Sequence, residues 1–155
     1  MEFFTYELLI RLIASFFCSI AFAVLFKSAT RHLIPAGLSG VVTYFVYHLG
    51  LYFEFPLFAV AFLSTFAGAS FAELYARMRK TPVTVILSAA IIPTVPGGDI
   101  YYTMQNVLLG NGNLAIKYLW QTMSIALGIA GGIVVVAIIF KIISDTIAKK
   151  KTSKT

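Results

Sequence analysis

The residues of this chain with the clearest capacity for chemistry form a proline- and glycine-rich break inside an apolar segment. The break reads Pro93-Thr94-Val95-Pro96-Gly97-Gly98-Asp99. Its prolines remove amide donors and its glycines loosen a helix, so that carbonyls before the break and amides after it become available to a ligand. A helix that starts after a glycine-rich approach favours an anion such as a carboxylate. The alternative is a structural kink whose freed backbone groups are satisfied by neighbouring helices.

Asp99 stands where the helix after the break is expected to begin. As a plain N-cap it would contribute about 1 kcal/mol, whereas as a ligand it would pair with an ammonium group or carry a transported proton. Tyr101 can line the same site or anchor the chain at a membrane interface. Gln121 begins a small, polar helical stripe whose alternative role is helix packing. The predicted substrate-binding residues are Pro93, Pro96, Gly97, Gly98, Asp99, Tyr101 and Gln121.

The other ionisable side chains have structural alternatives. Glu7 and Arg11 are four residues apart and can pair along a helix, although an ionisable group inside a membrane is a functional candidate by default. Glu73 and Arg77 repeat that spacing. The two histidines fall near opposite ends of one apolar run and Cys18 is the single cysteine, so we predict no metal site. In the absence of nucleotide-binding or hydrolase motifs, we also predict no cofactor and no catalytic residue.

Composition places these residues in a membrane protein. Of 155 residues, 59% are hydrophobic and 12% charged, and the mean hydropathy is +0.90. A soluble domain carries about 25% charged residues. The net charge of +6 comes from basic residues clustered at the ends of apolar runs, which is a topology pattern and argues against nucleic-acid binding. The acidic leader, residues 1–7, does not resemble a cleavable signal peptide. We predict one all-α transmembrane domain over residues 1–155.

Five apolar runs approach the length of about 20 residues that a membrane-spanning helix needs. They cover Leu8–Phe26, Leu33–Phe53, Phe55–Ala76, Pro82–Gly98 and Leu114–Ile143. The fourth run is broken at Pro93–Gly98, and Asp99–Leu109 reads as a separate short helix ending at Gly110. Discontinuous helices of this kind form the substrate sites of secondary transporters. Small residues at helix-packing spacings recur in the second, third and fifth runs: Gly37, Gly40, Ala61, Ser64, Gly68, Ala72, Gly128 and Gly132.

The positive charges predict an orientation. Lys27 and Arg31 follow the first run, three basic residues at positions 77–80 follow the third, and residues 149–154 contain four lysines. If the broken segment crosses the membrane once, all three clusters lie on the cytoplasmic side. If it were re-entrant, the lysine-rich tail would face outside. We therefore expect five spans, the N-terminus outside, and residues 144–155 as a basic cytoplasmic tail near anionic lipid.

One segment resembles a known family. The motif Lys80-Thr81-Pro82-Val83-Thr84-Val85, then Ile91-Ile92-Pro93-Thr94-Val95-Pro96-Gly97-Gly98 with a tyrosine just downstream, resembles the threonine/serine exporter family. The size and the five apolar runs resemble the small subunit of its split, two-component branch. Thr94 departs from the apolar residue expected between the prolines.

The resemblance implies a function, a partner and a location. It implies an exporter of threonine and serine or of C4-dicarboxylates such as succinate, in the cell (cytoplasmic or inner) membrane. The partner it implies is a larger homologous membrane subunit with a cytoplasmic N-terminal domain. The two subunits would form an inverted repeat with the site between them. Two alternatives stay open: a membrane scaffold that stabilises a transporting partner, and a passive channel formed by self-association.

Overall fold

All regular structure in the described part of the chain is helical, which confirms the predicted fold class. The computed structural model describes residues 6–152, and the side chains of residues 6–146. Two short 3-10 turns accompany six α-helices. The helices are α1 (Tyr6–Leu25), α2 (Leu33–Tyr52), α3 (Leu57–Arg79), α4 (Val83–Ile91), α5 (Gly97–Leu108) and α6 (Gly112–Thr152), and the 3-10 turns cover Thr30–His32 and Ile92–Thr94.

Four helices are long and apolar enough to cross a membrane alone, namely α1, α2 with its preceding 3-10 turn, α3 and α6. The fifth candidate consists of two helical segments, Val83–Thr94 and Gly97–Leu108, with a bend of 50° between them. The predicted break in the fourth segment is thus confirmed. Helix α6 begins two residues before the predicted start and continues to Thr152. Of the predicted basic tail, residues 153–155 and the side chains from residue 147 onward lie outside the described residues.

Left-handed residues follow four of the helices, α1, α2, α3 and α5, and explain their short connections. Lys27, Glu54 and Lys80 have φ angles of 54°, 55° and 52°, and Gly110 has a φ of 74°. Gly110 follows α5 as predicted, because only glycine adopts this conformation without strain. Such tight reversals place consecutive helices side by side.

The interior of the bundle is built from small residues, and its outside from large apolar ones. Alanine, serine and threonine dominate the buried positions, while phenylalanine, leucine and isoleucine are prominent on the exposed surface. This distribution is typical of helices that associate in lipid, where close backbone approach replaces the hydrophobic driving force. The exposed apolar surface therefore indicates contact with lipid or another subunit.

Helix α3 lies between α2 and α6 and holds the bundle together. Towards α2, the hydroxyl of Ser39 donates to the carbonyl of Gly68 at 3.1 Å, and the side chain of Thr43 fills the space beside that glycine. Helix α1 packs on the other face of α2, where Gly37 and Gly40 lie against its side chains. The prediction that these glycines allow helices to approach is confirmed.

The contact between α3 and α6 depends on two glycines of α6. A Cβ atom at Gly128 would lie 2.6 Å from the carbonyl oxygen of Phe58, and one at Gly132 would lie 2.9 Å from that of Phe62. At one end of this interface, Arg77 Nε lies 3.3 Å from a Glu73 carboxylate oxygen. Its Nη2 also donates to the Phe140 carbonyl at 2.8 Å. The predicted Glu73–Arg77 pair is confirmed, and it also ties α3 to α6.

A matched pair of substitutions in α6 tests this packing. In Gly128→Ala the new methyl group meets backbone atoms that cannot rotate away, so we expect a loss of about 1–3 kcal/mol of stability. In Gly131→Ala the methyl group finds an ordinary contact, 3.4 Å from the Phe62 ring, and alanine favours the helix. Thermal unfolding in detergent should therefore show a lower Tm for Gly128→Ala alone. Equal Tm values for the two variants would contradict the assigned interface.

Candidate functional site

The chain between α4 and α5 makes tight turns in place of a continuous helix. Pro93 lies in the 3-10 turn after α4, Val95 is extended with φ −63° and ψ 131°, and Pro96 has a ψ of 53°. The amide of Val95 donates to the Ile92 carbonyl at 3.1 Å, and that of Gly97 donates to the Val95 carbonyl at 2.7 Å. The break is therefore a change of backbone conformation over several residues.

On the α4 side of the break, the buried Thr94 side chain forms a hydrogen bond with the end of α4. The residue is only 4% exposed, and its hydroxyl donates to the Ile91 carbonyl at 2.8 Å. That carbonyl lies in the last turn of α4. Carbonyl groups in the last turn of an α-helix receive no hydrogen bond from a following turn of the same helix. The hydroxyl thus provides a local hydrogen bond that an apolar residue at this position could not make.

The α5 side of the break is open. Gly97 and Gly98 are exposed, and a Cβ atom added to either would meet no other described part of the chain within 4 Å. These glycines are therefore not required for packing among the described residues. The first hydrogen bond of α5 between residues four apart is donated by the amide of Ile100 to the Pro96 carbonyl, at 3.1 Å. Because the Gly97 amide already donates to Val95, the amides of Gly98 and Asp99, which lack helical acceptors, are the donors a ligand would meet.

The predicted N-cap role of Asp99 is wrong. Helix α5 begins at Gly97 with Pro96 as the preceding residue, so Asp99 lies inside the first turn. Gly97 and Gly98 have helical backbone angles. The helix therefore begins before Asp99, the residue that the usual preference for aspartate as an N-cap predicts. Asp99 still lies at the positive end of the α5 dipole, where a carboxylate is stabilised. Its side chain is half-buried.

A groove lies beside the break, between α1 and α2. It has a volume of about 230 Å³ and is lined by Arg11, Ala14, Ser15, Cys18, Tyr44 and Pro93. Both α1 and α2 contact the 3-10 turn that carries Pro93. The polar side chains at this groove come mainly from α1 and α2, whereas the break contributes a proline ring.

Two tyrosines connect the groove to the start of α5. The guanidinium of Arg11 and the hydroxyl of Tyr44 lie close enough to interact, and both residues line the groove. The rings of Tyr44 and Tyr47 stack with their centroids 6.3 Å apart, and Tyr47 lies within electrostatic reach of Asp99. The Arg11 cation therefore lies beside Tyr44, and the Asp99 carboxylate lies near Tyr47, the other member of the stacked pair. Glu7 lies 3.9 Å from Arg11, but the two side chains are 77% and 57% exposed, so this predicted pair leaves the guanidinium accessible.

Of the predicted site residues, only Pro93 lines the groove. Pro96, Gly97, Gly98 and Asp99 follow it along the break, whereas Tyr101 and Gln121 lie apart from the groove. Tyr101 is 62% exposed, and its ring packs edge-on against that of Tyr102. The ring centroids of Tyr102 and of Tyr118 in α6 are 5.3 Å apart. Gln121 is half-buried in α6, and no described contact connects it to the break. The residues from Pro93 to Asp99 remain together around the break, as consecutive positions must.

Sequence reasoning did not place Arg11, Ser15, Tyr44 and Tyr47 in the site. Arg11 did carry a signal, because an arginine inside an apolar span is costly and needs a partner. Tyr44 and Tyr47 are three residues apart on one helix face, but that spacing is equally typical of interface anchors. Within residues 6–146, the structure groups no three histidine, cysteine or carboxylate side chains in a way that could hold a metal.

Comparison with known proteins identifies the family. A family model described as "Threonine/Serine exporter, ThrE" matches residues 11–139, a range that contains the break and every residue lining the groove. Searches of curated proteins and of solved structures returned no match. The family match covers most of the chain, and the apolar spans agree with an exporter, which must lie in a membrane. The chain is therefore a multi-pass helical membrane protein that belongs to the threonine/serine exporter family.

Proposed function

We propose that this chain is the small subunit of a two-component exporter that moves small carboxylate-bearing metabolites across the cytoplasmic (inner) membrane. The observation that carries the proposal is the open first turn of α5, next to a groove that contains Arg11. An open helix start at membrane depth is stable only beside protein or water. It is also a ready site for an anion.

The charges around the break suit a free amino acid. The first-turn amides of α5 and the Arg11 guanidinium are donors for a carboxylate, and a guanidinium can bind one through two parallel hydrogen bonds. Asp99 supplies the opposite charge for an ammonium group. Threonine and serine carry both groups, whereas succinate carries two carboxylates and would meet repulsion at Asp99. We therefore favour an amino acid, with a C4-dicarboxylate as the second substrate class.

A larger homologous subunit completes the site in this proposal. Among the described residues, no atom beyond the adjoining backbone lies within 4 Å of the Cβ positions of Gly97 and Gly98, so the helix start is open to a partner or to water. A partner of inverted orientation would cover this face and enclose a substrate between the subunits. The N-terminus then lies outside and the C-terminus inside, and proton or ion gradients drive export.

The same open face also supports a second function, a scaffold that does not transport. In that case Gly97 and Gly98 would be the place where a helix of the partner packs closely, as glycines do between membrane helices. The partner would then hold the whole pathway. The two functions predict different consequences of a methyl group at the break.

Gly97→Ala separates these two functions, with Gly112→Ala as its matched control. Both glycines begin helices and have free space at Cβ, so folding of the chain should be unaffected. We expect Gly97→Ala to assemble normally with its partner and to lose export by about tenfold, the equivalent of one charged hydrogen bond. Export per assembled complex is measured in cells that express both subunits. Reduced assembly with unchanged export per complex would support the scaffold instead.

Arg11→Gln and Asp99→Asn test the assignment of the two charges. Arg11→Gln should reduce export of threonine and of succinate, because both carry carboxylates. Asp99→Asn should reduce export of threonine by about tenfold or more without reducing that of succinate. Glu7→Gln is the control, since an exposed ion pair contributes only about 0–1 kcal/mol. Unchanged export of every substrate by Asp99→Asn would remove its role as a ligand.

The single cysteine reports whether the groove contains water. Cys18 lines the groove, and thiols react as thiolates, which form only where water reaches them. We expect a charged, membrane-impermeant thiol reagent to modify Cys18 in bilayers, and substrate to slow the reaction. The matched control is Phe17→Cys in a Cys18→Ser background, because Phe17 is exposed on the apolar surface and does not line the groove. Equal modification of both cysteines would contradict a water-filled groove.

A further inference from the structure

A second polar pocket lies where the 3-10 turn before α2 meets the end of α3. It has a volume of about 290 Å³ and is lined by Arg31, His32, Tyr75 and Arg79. Every charged side chain in this lining is basic. The nearby acidic residue of α3, Glu73, is paired with Arg77. The pocket therefore concentrates positive charge that the described lining does not neutralise.

His32 lines this pocket and carries a buried donor. The residue is only 4% exposed, and Arg31 Nε donates to His32 Nε2 at 3.0 Å. Since Nε2 is the acceptor of that bond, the assigned proton of the neutral ring lies on Nδ1. Nδ1 is buried and has no hydrogen-bond partner within the described part of the chain. A buried donor without an acceptor is costly and rare in folded proteins.

The surrounding contacts hold these groups in place. The ring of Tyr75 packs edge-on against His32 with the centroids 6.1 Å apart, and its hydroxyl donates to the Arg31 carbonyl at 3.4 Å. The main chain that carries Arg31 is thus linked to α3, the helix that carries Arg79. Two guanidinium groups are positioned around one pocket, and a guanidinium is suited to bind the oxygens of a phosphate.

We propose that the pocket formed by Arg31, His32, Tyr75 and Arg79 binds a phosphate group. The two guanidinium groups neutralise its charge, and His32 Nδ1 gains the acceptor that the chain does not provide. Basic pockets between membrane helices bind phospholipid headgroups, and a soluble phosphate offers the same oxygens. The pocket lies at the basic end of the helix bundle, away from the break, and the proposal does not depend on which solute the protein exports.

The experiment compares two phosphate sources on the purified full chain. Native mass spectrometry measures how much phosphatidylglycerol the protein retains after extraction from bilayers that contain it. Isothermal titration with inorganic phosphate measures binding of the soluble ion. The test variant is Arg31→Gln with Arg79→Gln, and the control is Lys27→Gln with Lys141→Gln, which removes the same charge from residues that do not line the pocket. Arg79→Gln alone is a milder variant, because Arg79 is exposed and its replacement should not affect folding.

We expect the wild type and the control to retain phosphatidylglycerol, and the test variant to lose retention by about tenfold or more, with a smaller loss for Arg79→Gln. Saturable phosphate binding with the same dependence on variants, without retained lipid, would assign the site to a soluble phosphate. The proposal is overturned if the wild type binds neither source, or if the control loses as much binding as the test variant.

Discussion

The need to satisfy backbone polar groups in hydrocarbon is the constraint on which the rest of this structure depends. A helix satisfies them internally, and a chain that leaves the helix at membrane depth must be surrounded by protein or water. In this protein the chain leaves the helix after Ile91 and does not resume it until Gly97. Helices α1 and α2 both contact this segment. Thr94 donates to a carbonyl on one side, and on the other side the amides of Gly98 and Asp99 have no acceptor in the described part of the chain.

The small-residue interfaces serve that arrangement. Because Gly40 and Gly68 let α1, α2 and α3 approach closely, these helices can also pack against α4 and keep the break inside the bundle. Helix α6 joins the opposite side of α3 through Gly128 and Gly132. The break itself contributes little packing of its own. Its position is determined by a rigid set of helices, which is the arrangement that a binding site needs if its donors are to stay aimed at a ligand.

The features that could be predicted from the sequence were those that depend on local chemistry. The spans follow from apolar length, the break from Pro93 to Gly98, and the role of Gly128 and Gly132 in helix packing from their spacing, although the spacing does not identify α3 as the helix they contact. The start of α5 was placed at Asp99 because aspartate is a strong cap, yet glycine can also adopt the helical angles. The contact of Arg11 with Tyr44 and the distance of Gln121 from the break depend on how whole helices rotate and pack. Neither periodicity nor residue type specifies that rotation.

Hydrogen exchange of the reconstituted protein in lipid tests the central claim most directly. The peptide that covers Gly97 to Tyr101 contains the open amides of Gly98 and Asp99. A peptide of α2 around Gly40 contains amides within a continuous buried helix. The account predicts that the α5 peptide exchanges much faster than the α2 peptide, and that an exported carboxylate slows it. Equal protection of the two peptides, unchanged by any substrate, would contradict the claim that the helix start is open to solute.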